Sequence, residues 1–268
     1  MKLLIAAAAA LAAGATVAAH AQPARDAASE IPTGFVSLGA ALAPDYPGSD
    51  DFRVLPFGAA RFEIGGVTVR TEGPGVAVDL IEQGPITAGP YLRYVGGRDD
   101  IDDAVVARLP DVDPSVVGGG FVRATLAEGV IGPFDEISVT GRLGADLAGT
   151  FDGAAWSASL DYGSALSREV FLAVSLSVSG FSDDYAEQLF TIDAAGAAAS
   201  GLPAFDAEGG ARDAGLFVIL DYGLGNDWSL TGALGYSRLI GDFADSPVTD
   251  IRGSADQTFA GLALGKRF

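Results

Sequence analysis

The side chains that serve nucleophilic or zinc chemistry are almost missing from this chain of 268 residues. It has no cysteine and one histidine, His20, and His20 lies in an N-terminal segment that we predict is removed. A Ser-His-Asp or Cys-His system therefore cannot form, and an ordinary zinc site lacks its ligands. Lys266 is too close to the C-terminus to serve a Ser-Lys dyad. We predict no enzyme, no cofactor and no metal site.

Acidic side chains are plentiful, with 35 Asp and Glu against 16 Lys and Arg and a net charge of −19. This balance excludes a basic nucleic-acid surface. A carboxylate pair for glycoside hydrolysis is possible by count, but no pair stands out in the sequence. Many acids fall in predicted loops, where we interpret them as solvated surface charge. The alternative is binding of divalent cations that bridge to lipopolysaccharide. The loop acids include Asp45, Asp50, Asp51, Asp99, Asp100, Asp102, Asp103, Asp183, Asp184, Asp242 and Asp245.

The first 21 residues have the pattern of a cleaved signal peptide. Lys2 supplies a positive start, residues 3–19 are apolar and rich in alanine, and residues 19–21 form a small-x-small cleavage site. An uncleaved anchor is the alternative. We predict that residues 22–33 form a periplasmic N-terminal segment and that residues 34–268 form one domain.

The rest of the chain alternates between apolar and polar residues. Between residues 227 and 237, Trp228, Leu230 and Leu234 fall on one face, opposite Ser229 and Thr231. A soluble β-sandwich would also alternate, but Trp and Tyr near the strand ends are typical of the aromatic girdles of an outer-membrane barrel. The predicted strands are 34–42, 52–64, 85–95, 115–127, 136–149, 153–163, 168–181, 211–222, 227–238 and 256–268, and residues 67–82 add one long or two short strands.

The predicted fold class is all-β, a transmembrane antiparallel up-and-down β-barrel closed by its N- and C-terminal strands. Even strand numbers in such barrels favour twelve strands, with a turn at Glu72-Gly73-Pro74, and ten is the alternative. This arrangement places the three longest connections, 96–114, 183–210 and 239–255, outside the cell. The terminal Phe268 resembles the sorting signal that the barrel assembly machinery recognises. We therefore predict the outer membrane of a Gram-negative cell.

Charged residues on the predicted strands fall almost entirely on the inward register. Two interpretations of these inward-facing charges are open. They form either an ion-pair network that fills a narrow interior or a selective constriction in a small pore. The predicted lumen-facing charges are Arg53, Arg61, Glu63, Arg70, Glu72, Asp79, Arg93, Arg123, Arg142, Asp146, Asp161, Asp221 and Arg267.

Several motifs, in order along the chain, resemble the MipA/OmpV family. The opening motif is APDYPGSDDFRVLP at residues 43–56. GPYLRY at 89–94, SGLPAFD at 200–206, YSRLIGD at 236–242, ADSP at 244–247 and GSADQ at 253–257 follow it.

The resemblance implies an outer-membrane barrel without catalysis. It implies a scaffold for a murein lytic transglycosylase and a murein synthase, in contact with outer-membrane lipid and lipopolysaccharide. The alternatives are a small-solute diffusion channel with a narrow Arg-lined lumen, or a porin-like protein of surface adhesion or stress response.

Overall fold

The barrel wall is built from thirteen strands. The computed structural model describes residues 34–99 and 101–268, so the predicted signal peptide and the segment 22–33 lie outside the described residues. The strands are β1 Phe35–Pro44, β2 Phe52–Ile64, β3 Val67–Glu72, β4 Gly75–Asp79, β5 Ile81–Gln83, β6 Ile86–Val95, β7 Ser115–Glu128, β8 Asp135–Asp146, β9 Ala154–Ala165, β10 Val170–Phe181, β11 Gly210–Gly225, β12 Trp228–Leu239 and β13 Asp256–Arg267.

The wall closes at two seams, which makes an antiparallel barrel of twelve strands with one extra short strand. β1 pairs with β13 in the register Phe35 to Arg267, and β4 pairs with β6 in the register Gly75 to Arg93. The extra strand, β5, continues the line of β4 along β6 with a shifted register. The prediction of twelve strands, with residues 67–82 turning at Gly73-Pro74, is confirmed.

The two ends of the barrel differ. One end, which we call the turn end, carries Gly34, Phe268 and short connections such as Gly65-Gly66 and Asn226-Asp227. Both central residues of each of these two turns have positive φ, as a type I′ hairpin requires. This geometry joins neighbouring strands without splaying them.

The opposite end, the loop end, carries the long connections 96–114, 182–209 and 240–255. They contain a 3-10 helix, Val106–Arg108, and four α-helices, α1 Asp183–Phe190, α2 Ala194–Ser200, α3 Asp242–Asp245 and α4 Pro247–Asp250. In the part of the chain that the structure describes, none of these helices is long and apolar enough to cross a membrane. The three long connections lie at one end, as predicted.

Side chains alternate across the wall as the period-two pattern predicts. Leu143 and Leu234 point outward and are exposed, whereas Thr140 and Ser175 point inward and are buried. Trp228 and Tyr236 lie on the outward face near opposite ends of β12. An apolar belt with aromatic residues at its edges is the outer surface of a membrane barrel.

An apolar core fills the loop end. The ring of Tyr185 stacks on Phe181 at 3.9 Å and on Phe151 at 4.3 Å, and Phe243 meets Phe190 edge to face at 5.1 Å. We call this core, formed by Phe151, Phe181, Tyr185, Phe190 and Phe243, the loop cap. Because these rings are buried, the long connections form a packed layer over the barrel mouth.

Candidate functional site

An ion-pair network crosses the lumen. Glu72 on β3 accepts hydrogen bonds from Arg142 on β8, from Nε at 3.0 Å and from Nη2 at 3.1 Å. Glu72 also binds Arg70, whose guanidinium donates to Asp79 at 3.1 Å. All four side chains are buried. Since β4, β6 and β7 separate β3 from β8 in the wall, the contact between Glu72 and Arg142 joins distant sides of the interior.

An aromatic layer occupies another part of the interior. Phe57, Phe217 and Phe259 come from β2, β11 and β13, and the ring of Phe259 lies 5.6 Å from Phe57 and 5.5 Å from Phe217. On the other side, Arg70 lies 5.1 Å above the ring of Phe121. Large rings and paired charges therefore fill space that a wide channel would leave to water.

Two predicted acids are held largely by hydroxyl groups. Asp161 accepts hydrogen bonds from Ser175 at 2.6 Å, Ser159 at 2.9 Å and Thr140 at 3.1 Å. Asp221 accepts one from Thr231 at 2.7 Å and forms an ion pair with Arg267 at 2.5 Å. These contacts use the small inward-facing hydroxyl residues that alternate with the lipid-facing ones.

The other predicted lumen charges have individual surroundings. Arg123 pairs with Glu136 at 2.5 Å, and Arg53 pairs with Asp45 at the loop end. Arg61 and Arg93 are half-buried, while Glu63 is exposed at the turn end. Asp146 accepts from Ser115 and from the N–H of Phe151, which closes the connection 147–153. The structure thus joins some of the predicted set into one network and places others, such as Arg123 and Arg53, in local pairs.

The alternation pattern misses one buried cation, Arg212. Its even number places it on the outward register of β11, but the ladder to β10 shifts between Ser179 and Gly180, so that Ser179 faces Asp213 and Gly180 faces Ala211. A bulge of this kind re-aims a side chain, and Arg212 turns inward to bind Asp213 and to lie 4.7 Å from the ring of Phe181. Nothing in the local sequence signals the bulge.

Two loop acids are buried, so the interpretation of solvated surface charge is wrong for Asp45 and Asp103. Asp45 accepts from the N–H of Asp102 at 3.0 Å, and Asp103 accepts from Arg252 at 2.7 Å. These bonds connect segments far apart in the sequence. Among residues 34–99 and 101–268, no three Asp, Glu, His or Cys side chains form a group that could hold a metal ion.

The pKa of Asp103 lies below its usual range. Burial alone would raise the pKa of this carboxyl, but the hydrogen bond from Arg252 and those from the N–H groups of Val105 and Val106 outweigh burial. The carboxylate is therefore ionised at neutral pH and ties the start of the 3-10 helix to the last long connection.

Small cavities remain at the loop end. One, lined by Arg53, Leu55, Tyr94 and Phe259 among others, holds about 70 Å³. A second, beside Arg93, Arg142 and Arg212, holds about 20 Å³. These volumes are room for a few water molecules, so the arginines line pockets within a filled interior.

The turn end presents an exposed apolar turn at residues 129–134. Val130, Ile131 and Phe134 are 59%, 77% and 49% exposed. The turn is held in shape by Asp135, whose carboxylate accepts hydrogen bonds from the N–H groups of Val130, Ile131 and Gly132 at 2.7–2.8 Å. A fixed turn that displays three large apolar side chains is a candidate contact surface.

Phe268 directly follows β13 on the outward face, beside the first described residues. Its backbone exchanges hydrogen bonds with Gly34 at 3.0 and 3.1 Å, and its ring lies 5.9 Å from that of Phe62. The ring is exposed on the side that faces lipid.

Comparison with known proteins gives a family match over most of the chain. The family model described as MltA-interacting protein MipA matches residues 36–268. No curated protein matches the chain.

Similar solved structures are outer-membrane proteins. An outer-membrane channel of the COG4313 group from Pseudomonas putida F1 is 11% identical with a TM-score of 0.43, and the alignment covers 93% of this chain and 100% of that one. OmpT of Vibrio cholerae is 7% identical with a TM-score of 0.40, covering 88% and 96%. OprD of Pseudomonas aeruginosa is 13% identical with a TM-score of 0.34, covering 90% and 66%.

Proposed function

This chain belongs to the MipA family, and from that membership we propose that it is a non-enzymatic scaffold of the outer membrane. Its proposed partners are a murein lytic transglycosylase and a murein synthase. The family description, MltA-interacting protein, supports the first of these two partners. The loop end faces outward and the turn end faces the periplasm, where murein enzymes act. This orientation follows the long-loop rule of bacterial barrels.

The observation that supports a scaffold over a channel is the filled lumen. The bonds from Arg142 to Glu72 span the interior, the aromatic layer of Phe57, Phe217 and Phe259 occupies a further part of it, and the loop cap covers one mouth. A barrel closed in this way acts through its surface rather than through a pore.

The proposed contact surface is the turn of residues 129–134. Apolar side chains that are exposed beyond the membrane mark sites of protein contact, and the bonds from Asp135 pre-organise the turn, which lowers the entropy lost on binding. A stable interface buries about 800 Å² on each partner, more than one turn supplies. Neighbouring residues of the turn end, such as Leu166, which is also exposed, extend the surface.

A direct test compares two matched substitutions. Ile131→Asn alters the turn end, and Leu147→Asn alters another well-exposed apolar residue, at the loop end, which is 63% exposed. The protein, purified in dodecylmaltoside micelles, is titrated with purified murein lytic transglycosylase by isothermal titration calorimetry. We expect Ile131→Asn to weaken binding at least tenfold and Leu147→Asn to leave it unchanged. Equal affinities of the two variants, or no binding by the unaltered protein, would contradict the proposal.

A further inference from the structure

One stretch of the barrel wall lacks its ladder partner. β2 has 13 residues and its neighbour β3 has 6, and the two pair only between residues 61–64 and 67–70. The hairpin of β3 and β4 turns back at Gly73-Pro74. Residues 52–59 of β2 pair with β1 on one side, and on the other side no strand of the described chain pairs with them.

The direction of the backbone groups shows which atoms are left open. Ala60 donates its N–H to Thr71 Oγ1 at 2.9 Å, on the side of β3. Successive residues of a strand direct their backbone N–H and C=O groups to opposite neighbouring strands. The backbone groups of Gly58, Pro56 and Val54 therefore point to the same side as those of Ala60, toward the missing neighbour. Pro56 has no N–H to leave unpaired, and proline in sheets is confined to such edges. The sequence is therefore suited to an unpaired edge here.

The gap faces the lipid. Phe52 and Val54 on its β2 side are 50% and 70% exposed, so this rim continues the apolar belt. At the bottom lies the β3–β4 turn, where Pro74 accepts from the N–H of Tyr94 at 3.2 Å. At the top, Asp45 accepts from the N–H of Asp102. We call this gap, bounded by residues 52–59, 73–75, 94–97 and the contact of Asp45 with Asp102, the lateral window.

The 70 Å³ cavity lies directly behind the lateral window. Its lining includes Leu55 from β2 and Tyr94 from β6, the two sides of the window, and Phe259 from β13 behind them. The remaining lining includes charged and polar residues, Asp45, Arg53, Asp99, Arg212, Asp213 and Gln257. The apolar part of the cavity that hydrocarbon can contact is thus the part next to the window, formed by Leu55, Tyr94 and Phe259.

We propose that the lateral window admits a short segment of an acyl chain of a membrane amphiphile from the surrounding leaflet into this cavity, whose volume of about 70 Å³ has room for only a few methylene groups. Open N–H and C=O groups are strongly unfavourable in hydrocarbon. A hydroxyl, ester or amide group of the amphiphile hydrogen-bonds the free edge at Val54 and Gly58, while its chain reaches Leu55 and Phe259. A fully paired wall would offer neither the polar edge nor the entrance. This binding site is separate from the proposed contact surface at the turn end.

Quenching of single tryptophans by brominated lipid tests the proposal. In a chain carrying Trp156→Phe and Trp228→Phe, three variants place one tryptophan each: Val54→Trp on the lipid face, Leu55→Trp in the cavity, and Phe121→Trp facing the lumen behind the fully paired ladder of β7. Each is reconstituted in phosphatidylcholine vesicles brominated on the acyl chains. We expect Leu55→Trp to be quenched at least half as strongly as Val54→Trp, and at least twice as strongly as Phe121→Trp.

Two outcomes would overturn the proposal. One is equal quenching of Leu55→Trp and Phe121→Trp. The other is quenching of Leu55→Trp by aqueous acrylamide but not by brominated lipid, which would show an opening to water alone. Heat-dependent gel mobility verifies folding of each variant. If Leu55→Trp does not fold, Phe259→Trp, an aromatic exchange on the opposite wall of the same cavity, provides the same comparison.

Discussion

Removing the negative charge of Glu72 tests whether the cross-lumen network stabilises the barrel. Glu72→Gln keeps the size of the side chain but leaves Arg142 without a carboxylate partner in the described chain, since its ion pair is with Glu72. Arg70 keeps Asp79 at 3.1 Å. The main effect is thus one buried guanidinium that loses its counter-charge.

The expected cost is about 3–5 kcal/mol, the range for breaking a buried ion pair by removing one partner. Arg142 is 7% exposed and Glu72 likewise, so bulk solvent cannot substitute for the lost charge. The second substitution, Arg142→Gln in the same chain, removes the stranded cation. The double variant should therefore lose less stability than the sum of the two single variants.

Equilibrium unfolding in urea, with the protein in lipid vesicles, measures these differences. A matched control is Arg238→Gln, which breaks the ion pair with Asp256 on the surface, where both side chains are about half exposed. Surface pairs contribute little, so this variant should unfold at the same urea concentration as the unaltered protein. If Glu72→Gln also unfolds there, or if the two single effects simply add, the network does not hold the barrel together.

Three further predictions follow from the wall and the loop end. Leu143→Arg, on the lipid face of β8, should destabilise the folded barrel by about 2–4 kcal/mol, measured by unfolding in urea in lipid vesicles. No loss of stability would show that this face does not contact lipid. Gly39→Ala should destabilise by about 1–3 kcal/mol, because its Cβ would collide with the backbone carbonyl of Leu262, whereas Gly141→Ala meets no atom within 4 Å and should be neutral in the same assay. Since the pKa of Asp103 is lowered in the folded chain, its contribution to stability is complete above about pH 4, the ordinary value for Asp, and is lost as the pH falls through the lowered value. The hydrogen-exchange protection of residues 103–109, taken relative to the intrinsic exchange rate at each pH, should therefore fall only in that acidic range, and Asp103→Asn should remove this pH dependence.

The architecture is largely predictable because a lipid-facing wall imposes a strict period of two. The alternation around Trp228 and Leu234 fixes which side faces lipid, and the even-number rule selects twelve strands. The predicted ends of β11 are less accurate, since the strand runs to Gly225 rather than Tyr222. The last residues of β11 stay paired with β12 up to the turn, and how far this pairing extends depends on the geometry of the hairpin. The hydrophobic pattern carries no information on that geometry.

The arrangement inside the barrel is less predictable, because it depends on register across strands that are distant in the sequence. The inward register places Glu72 and Arg142 in the lumen, but not in contact. Arg212 enters the lumen through a bulge, and Asp45 and Asp103 are buried by loop packing that no local pattern encodes. The lateral window likewise arises because β3 is shorter than β2 and pairs with only one end of it. The hydrophobic pattern of each strand alone does not show which part of β2 is left unpaired.

Planar-bilayer conductance tests directly whether the barrel is closed by its own side chains and acts through its surface. We expect the purified protein, inserted and verified as folded, to give no stable conductance steps in potassium chloride on either polarity. Regular steps from the unaltered protein, reduced by Arg142→Gln or Arg93→Gln, would show an open Arg-lined pore and would contradict a closed barrel.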